Sequence, residues 1–460
     1  MESFKTFKLE STIAAADIER QSTLDDNITR YNHSLNQALP FYRNLELAKK
    51  RAGYIRYKAI NGLEKYLVEF EFNFEKNGGK VIWAQDDAEA VKEIISILNK
   101  NKISEVVKSR SSLADEIDLA SGLLKGNIRL SEINPGEFIL SQFEEKQRHL
   151  SSVIIHKRSQ EISELFHSKY GIPLKHNPAD ILDFIRREFR NRKDQPKAAI
   201  TGANYLISDT GSVCISEDSG DSILNTVQPR IQIILAGIDK IIPSISNLDT
   251  FLSLYSTFSN GEKINALNTI ISGPKLETEK DGPQEMYLVL IDNGRSKVLA
   301  QKYQRRALSC IECGACQNVC PVYRKIGGVK EVNGYTGPIG SITTPWIKGI
   351  KENIHLSYAS TLCGKCTEIC PVGINIHELL IFNRNSAIKL KEYSMSENLL
   401  MIGWHRVLVS RNNMDRVSSK WKNIILNKVY AGKWGTEREM PQVSAKSFKQ
   451  LWEERREGKK

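Results

Sequence analysis

The sequence predicts two unlike parts in series, an α/β domain and then a smaller α-helical module built around cysteines. Three observations predict it. Apolar strands alternate with amphipathic helices from about residue 51 to residue 168. Seven of the eight cysteines fall between Cys310 and Cys370, at only two kinds of spacing. A basic stretch with helical character follows from residue 391. A chain of 460 residues has room for two or three domains, each with a sizeable core.

Residues 1–50 are polar with scattered apolar positions and read as a helical lead-in. The α/β domain is expected over 51–295. Leu63, Tyr66, Leu67, Phe70 and Phe74 share one helical face, and Asn77-Gly78-Gly79 ends that helix with residues that accept positive φ. Residues 80–83 read as a buried strand. A helix follows over 87–99, with Val91, Ile94, Ile95 and Leu98 inward. The order continues with strand 105–108, helix near 113–124, strand near 127–132 and helix near 136–144. Strand 152–155 and helix 157–168 close the run. Such alternation implies a mainly parallel sheet with both faces covered. The stretch 198–218 reads as two strands joined by turns. Strands at 231–235 and 240–242, a helix near 247–257 and a last strand at 287–291 complete the domain. Asp292-Asn-Gly294 is a turn, and a helix near 297–308 leads to Cys310.

The module expected over 296–390 carries the chemistry. Its first run is Cys310-Ile-Glu-Cys313-Gly-Ala-Cys316-Gln-Asn-Val-Cys320-Pro321, the C-x2-C-x2-C-x3-C-P spacing with which bacterial ferredoxins hold a [4Fe–4S] cluster. Three thiolates two residues apart on a tight turn reach one cluster, while the fourth is carried past it to the other. The proline keeps the turn from running on as helix. The second run, Cys363-Gly-Lys-Cys366-Thr-Glu-Ile-Cys370-Pro371, lacks the first cysteine, and Ser360 stands in that register. Crossing the motifs assigns Cys310, Cys313, Cys316 and Cys370 to one cluster, and Cys320, Cys363 and Cys366 to a second. The second cluster's fourth position is Ser360, water, a small ligand or nothing, the last giving a [3Fe–4S] cluster. Structural zinc is the alternative for two C-x2-C pairs, but it leaves Cys316, Cys320 and Cys370 without a role. Backbone N–H groups of the Gly314 turn are expected to bond to cluster sulfur. Attainable potentials span roughly −700 to +450 mV, so spacing sets no direction of flow. The irregular, glycine-rich segment 321–359 is expected to wrap over the clusters, and a helix to begin at His377.

The net charge is +11, and residues 391–460, expected to be a basic helical extension, hold 15 Lys+Arg against 8 Asp+Glu. Aromatics interleaved with base-binding cations are not evident there, so nucleic acid is not an expected partner. The first residues, Met1-Glu-Ser-Phe-Lys-Thr-Phe-Lys, lead into mixed charge, and no apolar run approaches the roughly 20 residues that span a bilayer. A cytoplasmic protein with reduced thiols is the expectation. No glycine-rich flavin or nicotinamide fingerprint is visible. Cys214 reads as a buried core thiol. His156 reads as a loop histidine or one at a strand's ligand-binding end, and His355 and His377 flank the second motif. Gly202, Asn204, Thr210 and Gly211 form either an anion-holding turn or turns with no ligand.

Several blocks together resemble the lactate-utilisation protein B family. They are Asn77-Gly-Gly-Lys-Val-Ile-Trp-Ala84, Val107-Lys108-Ser109, Thr201-Gly-Ala-Asn204 with Asp209-Thr-Gly211, and Asp292-Asn-Gly-Arg-Ser296. Most specific is Cys310 through Tyr323-Arg324-Lys-Ile-Gly-Gly328, Gly337-Pro-Ile-Gly340 and Leu356-Ser-Tyr-Ala-Ser360-Thr-Leu-Cys363. The loop Glu217-Asp-Ser-Gly-Asp-Ser222 departs from the asparagine-rich wording of the family. The resemblance implies a ribose-phosphate isomerase/CoA-transferase-like α/β domain and a helical ferredoxin-type module. It implies two partners, a second iron–sulfur protein of the glycolate-oxidase type and a smaller protein with a related α/β domain, together taking L-lactate to pyruvate. The function expected is an iron–sulfur electron-transfer subunit of that complex. The alternatives are a catalytic organic-acid-binding protein with an open iron, or a redox-sensing scaffold.

Overall fold

The computed structural model describes residues 2–145, 149–174, 177–190, 196–327, 336–390, 395–430 and 439–458. The chain divides into two compact units, Met1–Lys389 and Leu390–Lys460.

The first unit is organised on two sheets. Its ten strands among the described residues are β1 (Lys80–Ala84), β2 (Glu105–Lys108), β3 (Arg129–Glu132), β4 (Ala198–Gly202), β5 (Tyr205–Ile207), β6 (Ser212–Glu217), β7 (Ile231–Gly237), β8 (Ile241–Ile242), β9 (Leu267–Ile271) and β10 (Glu285–Ile291). Six form a sheet in the order β1-β10-β7-β4-β2-β3, every neighbouring pair parallel. The apolar run at 231–237 is continuous because β7 lies mid-sheet and is buried on both faces. The second sheet, β8-β5-β6-β9, holds an antiparallel β5–β6 hairpin with β9 antiparallel and β8 parallel at its edges. The sequence pattern reads two strands over 198–218 where the structure has three, β4, β5 and β6, because β5 is only three residues long, and it misses β9, which is mostly part-exposed.

The helix Leu63–Lys76 covers one face of the large sheet with the five apolar residues its period picks out. Each buried side chain of that kind contributes about 1.5–3 kcal/mol. The helix ends as its glycines require: Gly78 takes φ +90, and Gly79 N–H donates to the Phe74 carbonyl. Helices Asp87–Lys100, Ser112–Glu116 and Leu119–Lys125 cover the other face. The expected single helix at 113–124 is thus two, broken at Asp118, which takes φ +48.

One expected strand is absent. Residues 152–155 form turns, and Ile155 instead packs with Leu24, Ile28 and Tyr323, beside the helix Ile18–Ala38. Three apolar residues in a row, Val153, Ile154 and Ile155, bury equally well against a helix, so the run alone does not specify a strand. The segment 321–359 is also not irregular where it is described. It holds helices Pro321–Ile326, Gly337–Lys348 and Ile350–Tyr358, and residues 328–335 lie outside the described residues. Pro321 and Pro338 stand in the first turns of two of these helices, where their missing N–H groups cost nothing.

Buried ions lock the elements that carry the site. Lys108 lies between Glu137 at 2.6 Å and Glu132 at 2.9 Å. Arg295, just after β10, pairs with Glu116 at 2.8 Å and with Asp239 at 2.7 Å. Arg56, in the helix Leu45–Asn61, donates to the carbonyls of Asp239, Ile241, Leu308 and Ser309. It thereby ties the end of the sheet to the residues that immediately precede Cys310.

The second unit contains helices Met395–Leu408, Arg411–Arg416, Ser419–Ile425 and Phe448–Glu457, with Trp404, Trp421 and Trp452 exposed. No helix among the described residues is long and apolar enough to cross a membrane.

Candidate metal centre and the cavity beside it

The two cysteine runs fold into the same local geometry twice. Glu312 and Leu362 take φ +59 and +55, and Gly314 and Gly364 take φ +76 and +82. Each pair brackets the first cysteine of a Cys-Gly-x-Cys turn, and each turn opens a short helix, Ala315–Asn318 or Lys365–Ile369. The match extends one step back. The Glu312 N–H donates to Cys310 Sγ at 3.3 Å, and the Leu362 N–H donates to Ser360 Oγ at 3.2 Å. Ser360 Oγ therefore occupies, in backbone terms, the place of Cys310 Sγ.

The thiols fall into two groups. Cys310, Cys313 and Cys316 are each raised by other members of the group they form with Cys370, and Cys320 and Cys366 are raised by neighbours in the group they form with Cys363. Burial is the larger cause: it pushes Cys310 and Cys366 up to about 12, and holds Cys313 and Cys316 well above the thiol range. The groups adjoin, since Cys316 also feels Cys366. Cys320 and Cys370, though third or last in their own runs, each join the other run's group.

This donor set fits iron–sulfur clusters. Four close thiols, three of them buried, are a poor arrangement for free thiolates, which would repel one another, and a cationic centre reverses the penalty by binding them deprotonated. Backbone donors are aimed at sulfur: the Tyr323 N–H at Cys320 Sγ, 3.5 Å, and the Ile374 N–H at Cys370 Sγ, 3.4 Å. No three His, Cys, Asp or Glu side chains among the described residues converge as a single metal ion would need. The prolines act at this level too. Pro321 both ends the turn after Cys316 and starts the next helix, with Cys320 as its N-cap.

The groups differ in depth. Cys313, Cys316 and Cys370 are buried, Cys310, Cys320 and Cys366 are half-buried, and Cys363 is exposed. The Lys365 N–H, and Lys365's charge less strongly, hold the Cys363 thiol below its usual range. A cavity of about 70 Å³ lies against Cys320, Cys363, Cys366 and Ser360, with Leu356 and Leu380 among its apolar walls.

The remaining sequence candidates separate cleanly. Cys214 is a core thiol of β6, pushed up to about 12 by burial alone. His156 sits in a turn, with Nε2 2.9 Å from Glu145, and together with Lys157 it holds that carboxyl down at about 2. His355 packs against Phe4 and Phe7, and His377 Nδ1 bonds Thr367 Oγ1 at 2.7 Å. Thr210 and Gly211 belong to the β5–β6 turn, where Asn77 donates to the Thr210 carbonyl and Gly211 abuts Asn73 and Phe74. Gly202 and Asn204 lie elsewhere, beside a larger cavity of about 340 Å³ at the carboxyl ends of β2, β4 and β7.

That cavity was not evident from the sequence, nor were its polar residues Arg110, Lys240, Tyr255 and Glu312. Glu312 stands between two cysteines of the first run. Its carboxylate accepts from Lys240 Nζ at 2.7 Å and from Ser112 Oγ at 3.2 Å. His149 was missed as well. Its ring is buried against the Gly314 turn, Nε2 pairs with Asn318 Oδ1 at 2.9 Å, and burial lowers its pKa to about 3.

The parallel α/β scaffold and the doubled thiol turn define an iron–sulfur protein whose cluster module is built onto the end of a sheet domain. Residues 67–291 match the LUD domain, and residues 306–374 match the 4Fe-4S dicluster domain. A protein called Lactate utilization protein B from Oceanobacillus iheyensis is 34% identical over 418 residues, 88% of this chain and 87% of its own length. Its counterpart from Bacillus cytotoxicus is 32% identical over 415 residues, with the same coverage. A solved structure, a DUF162 family protein from Deinococcus radiodurans, covers 50% of this chain and 98% of its own at 14% identity and a TM-score of 0.29, too distant to argue from. The chain belongs to the lactate utilization protein B family.

Proposed function

We propose that this chain is the iron–sulfur electron-transfer subunit of a complex that oxidises L-lactate to pyruvate. The observation that carries the reading is the pair of adjoining thiol groups, one buried and one reaching the surface at Cys363. Cys310, Cys313, Cys316 and Cys370 hold the deep [4Fe–4S] cluster. Cys320, Cys363 and Cys366 hold the outer one, whose fourth position is taken by Ser360, by water or a small ligand, or is empty in a [3Fe–4S] cluster. Bound clusters supply one-electron transfer, and oxidation of lactate releases two electrons and two protons, one electron for each cluster. The chain's own residues supply the setting. N–H groups of Glu312, Tyr323 and Ile374 stabilise charge on sulfur, and Cys313, Cys316 and Cys370 are buried, with His149 and Ser151 packed on the Gly314 turn.

The partners of the reading are a second iron–sulfur protein of the glycolate-oxidase type and a smaller protein with a related α/β domain. The sheet domain is proposed to be akin to ribose-phosphate isomerase and CoA-transferase folds, and the complex to work in the cytoplasm. The test uses the anaerobic complex of all three chains. Addition of L-lactate reduces the clusters of this chain, read by EPR. Absence of lactate-dependent reduction overturns the reading, and turnover of lactate by this chain alone replaces it with the catalytic alternative.

A further inference from the structure

The cavity of about 340 Å³ falls within the range, roughly 300–1,000 Å³, of ligand sites. It opens where a parallel sheet presents such sites, at the carboxyl ends of strands. Arg110 and Ser111 follow β2, Asn204 follows β4, and Gly237 ends β7.

The polar groups within it are unequally committed. Lys240 is taken by Glu312 at 2.7 Å. Asn204 Oδ1 accepts from the Ser216 N–H at 2.9 Å. Arg110 donates its guanidinium to the Leu150 carbonyl and its backbone N–H to Asp221 Oδ2 at 3.3 Å, and its guanidinium makes no ion pair among the described residues. Tyr255 is buried at the same cavity, within reach of the Asn204 amide and close enough to feel the charges of Arg110, Lys240 and Glu312. The site thus offers one guanidinium that makes no ion pair among the described residues, a phenol, and the hydroxyls of several serines.

Charge narrows the class of ligand. Glu217 and Asp218 line the same cavity, and burial, with the Asp221 charge next, raises Glu217 to about 7. A dianion such as phosphate meets those carboxylates with a single cation to offset them. A monocarboxylate needs only Arg110, and a hydroxyl or keto oxygen beside it suits Tyr255 and Asn204.

We propose that this cavity binds a small 2-hydroxy- or 2-oxo-carboxylate, with Arg110 taking the carboxylate and Tyr255 and Asn204 the neighbouring oxygen. Glu312 makes the site report to the deep cluster. Its carboxylate is a wall of the cavity, and its N–H is the donor to Cys310 Sγ. A ligand that reorders the Lys240–Glu312 pair changes the surroundings of that sulfur. The identity of the ligand rests on the function proposed above; the existence of the site does not.

The experiment uses the cluster-loaded chain under anaerobic conditions, titrated calorimetrically with L-lactate, pyruvate and inorganic phosphate. The EPR spectrum of the reduced protein is recorded with and without each. One of the two carboxylates is expected to bind saturably and alter the spectrum, with phosphate weaker. Arg110→Gln is expected to weaken that binding roughly ten- to a hundredfold, the worth of a charge-assisted hydrogen bond, at unchanged iron content. Tyr255→Phe, which keeps the ring in the core, is expected to weaken it severalfold and to decide the matter if Arg110→Gln fails to fold. No saturable binding of either carboxylate, equal binding of phosphate, or wild-type affinity in the variants overturns the site. The two proposals fail separately. A three-chain complex carrying Arg110→Gln that lactate still reduces at the wild-type rate sinks the site's part in turnover and leaves the electron-transfer function standing. Binding without lactate-dependent reduction in the wild-type complex does the reverse.

Discussion

At the scale of single residues, the thiols were legible because their ligand rule is local: spacing along the chain fixes which sulfurs share a turn. Ser360 was placed by register, and the shared N–H contact, Leu362 to Ser360 Oγ and Glu312 to Cys310 Sγ, gives that register a geometric basis. Arg110, Lys240 and Tyr255 were illegible because their meeting depends on strand order, not on spacing. Ser360 carries a direct prediction. If its oxygen is the fourth ligand of the outer cluster, Ser360→Ala lowers iron per chain and converts one cluster to a three-iron form with its own EPR signal. Ser360→Cys keeps full iron content and completes the set of eight thiolates. Identical iron content and spectra in Ser360→Ala and the parent protein exclude the serine and leave water or an empty corner.

At the scale of elements, the helix Leu63–Lys76 was readable from its period and most parallel strands from apolar runs, but the strand expected to be buried at 80–83 is an edge strand, β1, with only Ala84 buried. The run at 152–155 misled because burial against Leu24 and Ile28 satisfies it without any strand pairing. The helix Asp221–Val227 and the edge strand β9 went unseen because they are short, and the helix Pro178–Arg190 was missed although Ile181, Phe184, Ile185 and Phe189 mark an apolar face at helical spacing. The doubled cysteine turn yields a comparison between two elements of one backbone geometry in different surroundings. An alanine at Gly364 has open space around its Cβ and bears only the left-handed strain, about 1–2 kcal/mol. An alanine at Gly314 bears the same strain, and its Cβ also meets Ser151 Oγ at 2.7 Å and His149 Cε1 at 2.8 Å. Gly314→Ala should therefore lower the melting temperature and the iron content clearly more than Gly364→Ala does. Equal effects in thermal melts and iron assays would show that the deep turn relaxes freely, contrary to its packing.

At the scale of the molecule, the first fifty residues read as a lead-in, yet they contribute to the site. Phe7 lines the cavity beside Cys363, Arg324 pairs with Asp25 at 2.7 Å, and Tyr31 donates to the Phe258 carbonyl beside the deep thiols. The helix Leu45–Asn61 runs through position 50 and carries Arg56 to the strand ends and to Ser309. Such contacts link residues hundreds of positions apart, so periodicity could not reveal them. They also make the two thiol groups unequal. Cys313, Cys316 and Cys370 share one apolar core with Tyr205, Phe251 and Ile342, whereas Cys363 is exposed. A chelator or mild oxidant reaches the outer group through solvent, but reaches the deep group only when that core opens. Iron release under a chelator in anaerobic buffer should accordingly show two separated phases. The fast one belongs to Cys320, Cys363 and Cys366, and a Cys366→Ala variant loses it and keeps the slow one. Glycerol or high protein concentration leaves the ratio of the phases unchanged, because the order of loss is set by burial within the chain. A single phase, or a fast phase that survives Cys366→Ala, would mean that both groups are reached together and that the core shared with β5 and the helix Leu248–Asn260 does not protect the deep one.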